Sequence, residues 1–112
     1  MDKATYWQNG TAIDYKNAGD TMIQANSIVS LTTRCGIAGS DIAVGETGAL
    51  FVEGVFVVPH DPEGSAITLG AAVYYAAASG TATTASSGNI PLGWCVEACG
   101  AKDNAVKIKL LG

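Results

Sequence analysis

Charge is scarce in this chain. Asp, Glu, Lys and Arg make up 14% of its 112 residues, against roughly a quarter in ordinary soluble domains. Base is scarcer than acid, six residues against ten, for a net charge of −4. Between Asn17 and Ala101 the only Lys or Arg is Arg34, set against Asp20, Asp41, Glu46, Glu53, Asp61, Glu63 and Glu97. Displacing counterions from a nucleic acid takes clustered Lys and Arg, and no cluster exists here, so a nucleic-acid partner is not expected. There is one histidine, His60. With no second imidazole, a zinc site built around Cys35, Cys95 and Cys99 lacks a convincing fourth ligand, and the odd cysteine count does not suggest a disulfide framework. The three read as small buried hydrophobes.

Motifs are missing too. Neither a G-x-x-x-x-G-K-[ST] phosphate loop nor a G-x-G-x-x-G fingerprint occurs, which removes the usual signatures of nucleotide binding. The carboxylates stand singly, and Asp61 and Glu63 lack the ordered oxygen pattern of a calcium loop. His60 lies in Pro59-His60-Asp61-Pro62-Glu63-Gly64, a composition that reads as a solvated surface loop and not as a general base. No cofactor and no enzymatic activity are expected. Residues 64–96 carry no charge, but Gly70, Gly80, Gly88 and Pro91 break the stretch and make a bilayer helix a poor reading. The opening Met1-Asp2-Lys3-Ala4-Thr5 lacks the apolar segment of a signal peptide, so synthesis in a cytoplasm is expected.

What is present is strand grammar. Short apolar runs alternate with glycines, and no run shows a helical stripe longer than two turns. The pattern predicts strands at Thr11–Tyr15, Ser27–Thr33, Gly36–Ala38 and Ala49–Val58. Further strands are predicted at Ala72–Ala78, where the alanines would also tolerate a helix, and at Thr81–Ala85, Pro91–Ala98 and Val106–Leu110. Ala49–Val58 is apolar at both alternating sets of positions apart from Glu53, so it needs a second cover beyond its own core, from a loop or a neighbouring subunit. In Val106–Leu110 the alternation sends Val106, Ile108 and Leu110 inward and Lys107 and Lys109 outward, as a guard on an exposed edge. Three segments, beginning at Ile23, Ile42 and Ile67, place Asn26, Gly45 and Gly70 three positions later. Those residues reach positive φ cheaply, so each segment is read as a tight turn anchored by its isoleucine. The fold class is therefore all-β: a small single-domain β-barrel or sandwich, with residues 11–112 as the head and residues 1–10 as an extended N-terminal arm.

The arm contains Lys3, Tyr6, Trp7 and Gln8. Tyr6 and Trp7 are adjacent, so in an extended segment they point to opposite sides. One reading tucks them onto the domain's own core; the other sends them to a partner. Tyr74, Tyr75 and Trp94 are a second aromatic group that could form the platform of a receptor- or glycan-binding module, or simply pack.

Read in order, several short pieces form a resemblance. They are Ala4-Thr5-Tyr6 with Gln8 and Gly10, Ala12-Ile13-Asp14-Tyr15, Gly36-Ile37-Ala38, Asp41-Ile42-Ala43 and Gly45-Glu46-Thr47-Gly48. Glu53-Gly54-Val55-Phe56, Ile67-Thr68-Leu69-Gly70, Val73-Tyr74 and Val106-Lys107-Ile108 complete it. Together they resemble, over nearly the whole chain, the capsid cement (decoration) proteins of tailed bacteriophages. Asn26 stands where that family has a glycine, and Asn tolerates the same backbone. The resemblance implies a β-rich head protein on the outside of an icosahedral capsid in the virion. It also implies homotrimers that clamp adjacent subunits of the major capsid protein.

Overall fold

The computed structural model describes residues 3–6 and 10–110. Among them there are nine strands and no helix. The strands are β1 (Ala12–Lys16), β2 (Ile28–Ser30), β3 (Cys35–Ala38), β4 (Thr47–Phe51), β5 (Val55–Pro59), β6 (Ala72–Ala76), β7 (Thr81–Thr83), β8 (Ile90–Glu97) and β9 (Ala105–Leu110). They form two antiparallel sheets, ordered β1-β4-β3-β2 and β5-β9-β8-β6-β7. A parallel bridge between His60 and Ala82 brings the ends of β5 and β7 together, so the second sheet curls round towards closure. The uncharged stretch 64–96 is β6, β7, most of β8 and their turns.

The three isoleucine turns share one geometry. In each, a backbone N–H closes back on the carbonyl three residues earlier: Ser27 to Gln24, Glu46 to Ala43 and Ala71 to Thr68. The third turn residue has positive φ, 69° at Asn26, 83° at Gly45 and 85° at Gly70, as a type II turn requires. Ile42 and Ile67 are buried behind their turns, and Ile23 bridges directly to Ile42. Each turn leads straight into a strand, β2, β4 or β6.

The core lies between the curled sheet and β3. Val58, Val73, Leu92, Cys95, Val106, Ile108 and Leu110 come from the second sheet, and Cys35 and Ile37 enter from the first. All three cysteines are buried and unpaired, as small hydrophobes would be. Burial pushes the Cys35 thiol up from 9.0 to about 11, which holds it as the neutral, unreactive thiol.

Two expectations are corrected. Ala49–Val58 is not one strand: β4 ends at Phe51, β5 begins at Val55, and the chain passes from the first sheet to the second between them. Gly54, at φ 122°, makes the crossing, a conformation that residues with a Cβ rarely adopt. In addition, β9 is not an edge strand, since it lies between β5 and β8. Its alternation is as expected, with Val106, Ile108 and Leu110 buried, but its lysines stand in the middle of a sheet face.

Candidate functional site

Register decides what that sheet face presents. Residues directly opposite in an antiparallel pair point to the same side. Val55 faces Lys109 across β5 and β9, Lys109 faces Trp94 across β9 and β8, and Trp94 faces Ala72 across β8 and β6. Val55, Lys109, Trp94 and Ala72 therefore form one row. Their neighbours Phe56, Ile108 and Cys95 form the alternate, inward row. A second outward row runs from Val57 through Lys107 to Glu97, where a bulge shifts the register of β8.

Among the described residues the outward rows are left open. Val55 is 57% exposed, Val57 64% and Trp94 41%. The second cover that the two-sided apolar pattern of residues 49–58 calls for is thus not supplied by a loop among the described residues. Lys109 is half-buried and lies between Val55 and Trp94 in the register, where a lysine's methylene stem adds to an apolar surface while its ammonium keeps to water. Lys107 Nζ lies 2.8 Å from Glu97 Oε2. That pair is exposed, and its value for the fold is small. The result is an apolar strip with one locally neutralised lysine and one lysine, Lys109, that has no ion-pair partner among the described residues. Such a face suits docking onto an apolar surface that carries a carboxylate.

The sequence-predicted residues are distributed as follows. Lys3 and Tyr6 are exposed and belong to no strand, Tyr6 being 79% exposed. Trp7 and Gln8 lie outside the described residues. Tyr75 packs against the core, whereas Trp94 faces outward, so Tyr74, Tyr75 and Trp94 do not make one aromatic platform. Val55 and Val57 are not singled out individually by sequence reasoning; their signal is the apolar occupancy of both faces in residues 49–58, whereas Lys109 is read there as outward-facing but as an edge guard.

His60 corrects the reading of its loop as solvated. It is 3% exposed, with Nδ1 2.7 Å from the Asp103 carbonyl oxygen and Nε2 2.7 Å from that of Ser65. Its own N–H donates to the carbonyl of Asn104. The ring ties the loop after β5 to the loop before β9. It borders a cleft of about 170 Å³ lined largely by hydroxyl side chains, among them Ser79, Thr81 and Thr83, but both of its nitrogens are already engaged by backbone. Among the described residues no group of three or more His, Cys, Asp or Glu is placed to hold a metal ion. His60→Ala is expected to lower stability by about 2–3 kcal/mol, from the cavity left by the buried ring and the loss of its hydrogen bonding to the loop carbonyls. Urea unfolding followed by tryptophan fluorescence measures it, and an unchanged midpoint would show that the ring is not a strut.

A scan against protein-family models matches residues 7–110 to the family described as phage cement protein. The chain belongs to the phage cement protein family. Comparisons with curated proteins and with solved structures find no match. Membership makes this a structural, capsid-associated protein of a phage virion. For a cement protein the relevant site is a surface and not a pocket, and the open strip on β5, β9 and β8 is a surface of that kind.

Proposed function

We propose that this cement protein binds the outside of an icosahedral phage head and stabilises contacts between adjacent subunits of the major capsid protein. It acts as a homotrimer, added to the shell from the host cytoplasm. The observation that carries this reading is the uncovered row Val55–Lys109–Trp94 on a chain whose family is capsid-associated. Fully burying an apolar side chain of this size is worth about 1.5–3 kcal/mol, less the cost of ordering both partners. One such strip gives modest affinity. Three strips on one trimer engage together, and the second and third contacts form at high effective concentration.

Residues 1–10 act as an arm beside the head of residues 11–112, with Lys3, Tyr6, Trp7 and Gln8 as its partner-binding side chains. Support comes from the described part of the arm: residues 3–6 are exposed and contribute no strand to either sheet. Deleting residues 1–10 is expected to leave a folded head that binds capsids poorly. Circular dichroism and co-sedimentation with capsids together test this. An unfolded product would place the arm in the core, and undiminished binding would remove it from the interface.

A further inference from the structure

A sheet edge shows unpaired backbone N–H and C=O groups, and folded proteins guard such edges with charge, proline or closure. The two sheets end in four edge strands. On one, β1 carries Asp14 and Lys16. β5 ends in Pro59, and β5 and β7 meet through the His60–Ala82 bridge. β2 has none of these devices; it is Ile28-Val29-Ser30, apolar and uncharged.

The pairing of β2 defines what its free side offers. Ala38 N–H donates to the Ser27 carbonyl and Leu31 N–H to the Arg34 carbonyl, while Val29 lies opposite Gly36. Residues 27, 29 and 31 therefore turn their backbone groups towards β3. By the alternation of an antiparallel ladder, Ile28 and Ser30 turn theirs to the open side. An open groove runs along this edge, lined by Met22, Ile23, Ile28 and Val29 among others. The groove lining is uncharged, and two acids flank it: Asp20 lies two residues before Met22, and Asp41 Oδ1 accepts the N–H of Ala25, next to Gln24.

The same chain holds a segment that fits. Lys3-Ala4-Thr5-Tyr6 is exposed, in no strand, and carries one cation, Lys3, opposite in sign to the flanking Asp20 and Asp41. It leads into β1, which lies at the opposite edge of the same sheet from β2. β1, the strand that follows the segment in sequence, and β2 thus sit on opposite edges, separated by three strand spacings, roughly 14 Å. That is the arrangement of a head-to-tail contact, in which one copy gives from its β1 side and the next receives on its β2 side; repeated with a closing rotation it makes a ring. We propose that residues 3–6 of one copy add as a strand to the open edge of β2 in a second copy of this chain. The proposal rests on the reading of the arm as partner-binding and commits that partner to be another copy.

The test is made on the full chain in solution, without capsids, so its failure leaves capsid binding standing and a failure of capsid binding leaves it standing. Wild type is expected to be oligomeric by native mass measurement. Ser30→Pro removes the outward N–H without taking a bond from the β2–β3 ladder, and is expected to weaken association roughly tenfold or more. Ser30→Ala keeps the N–H and is expected to associate like wild type. Separately purified Ser30→Cys and either Thr5→Cys or Tyr6→Cys, mixed under oxidant, are expected to give a disulfide-linked heterodimer. Testing both arm positions covers the two faces of the incoming strand. A monomeric wild type, an oligomer indifferent to Ser30→Pro, or a cross-link formed only within a chain carrying both cysteines would each overturn the proposal, the last by showing that the arm covers its own sheet.

Discussion

Gly93→Ala is expected to leave little folded protein. Gly93 sits on β8, between Val73 of β6 and Leu110 of β9. A Cβ there would run into the backbone carbonyl of Lys109 and come within 3.1 Å of the Leu110 Cα. The obstacle is main chain, so no side chain can swing away. Nor can β9 retreat, because its other side is held along β5 from Val55 to Pro59. Separating the strands would also open the layer of Cys95, Ile108 and Leu110, all fully buried. A cost of about 4 kcal/mol or more is expected, much of the 5–15 kcal/mol that holds an average domain. Thermal unfolding and soluble yield report it. A wild-type melting temperature would mean that β8 and β9 do not approach as described at this register.

Val57→Asp should do the reverse, sparing the fold and harming the function. Val57 is on the open face opposite Lys107, so the new carboxylate finds a cation across the strand and water above it. The lower strand preference of Asp costs up to about 1 kcal/mol. Docking the same face on an apolar surface would bury an added charge, whose removal from water is costly unless it is paired. An interface centre of this type loses about 2 kcal/mol or more per contact, roughly thirtyfold. A trimer multiplies the loss because each contact sets the avidity of the others. The expected reading is a stability loss by urea unfolding of no more than about 1 kcal/mol, with capsid affinity reduced on the order of a hundredfold. Equal binding by the variant would move the capsid contact off this face.

Much of the architecture was legible because it rests on local chemistry. Asn26, Gly45 and Gly70 mark three turns, since only such residues reach positive φ without penalty, and each turn fixes where the next strand begins. Val106 to Leu110 shows its inward and outward sides through period two alone. The break between β4 and β5 was also written locally, in Glu53-Gly54, but the apolar residues on either side dominated the pattern and hid it. What could not be read was non-local. Whether β9 lies at an edge or in the middle depends on which strands pair with it, and its own five-residue alternation is the same in both cases. His60 looked solvated because its neighbours are two prolines and two acids; its burial comes from the loop at residues 100–104, some forty positions away. The candidate surface was legible only as a surplus, an apolar segment with one face too many, and the sheet register was needed to show that the surplus lies beside Trp94 and Lys109.

The central claim is that this protein cements a capsid, and the most direct test is co-sedimentation of the purified protein with assembled, expanded capsids that lack it. The account predicts saturable binding with a fixed ratio of cement protein to major capsid protein, and shells that resist heat better once loaded. Protein that stays in the supernatant at every concentration, with shells no more stable in its presence, would contradict it.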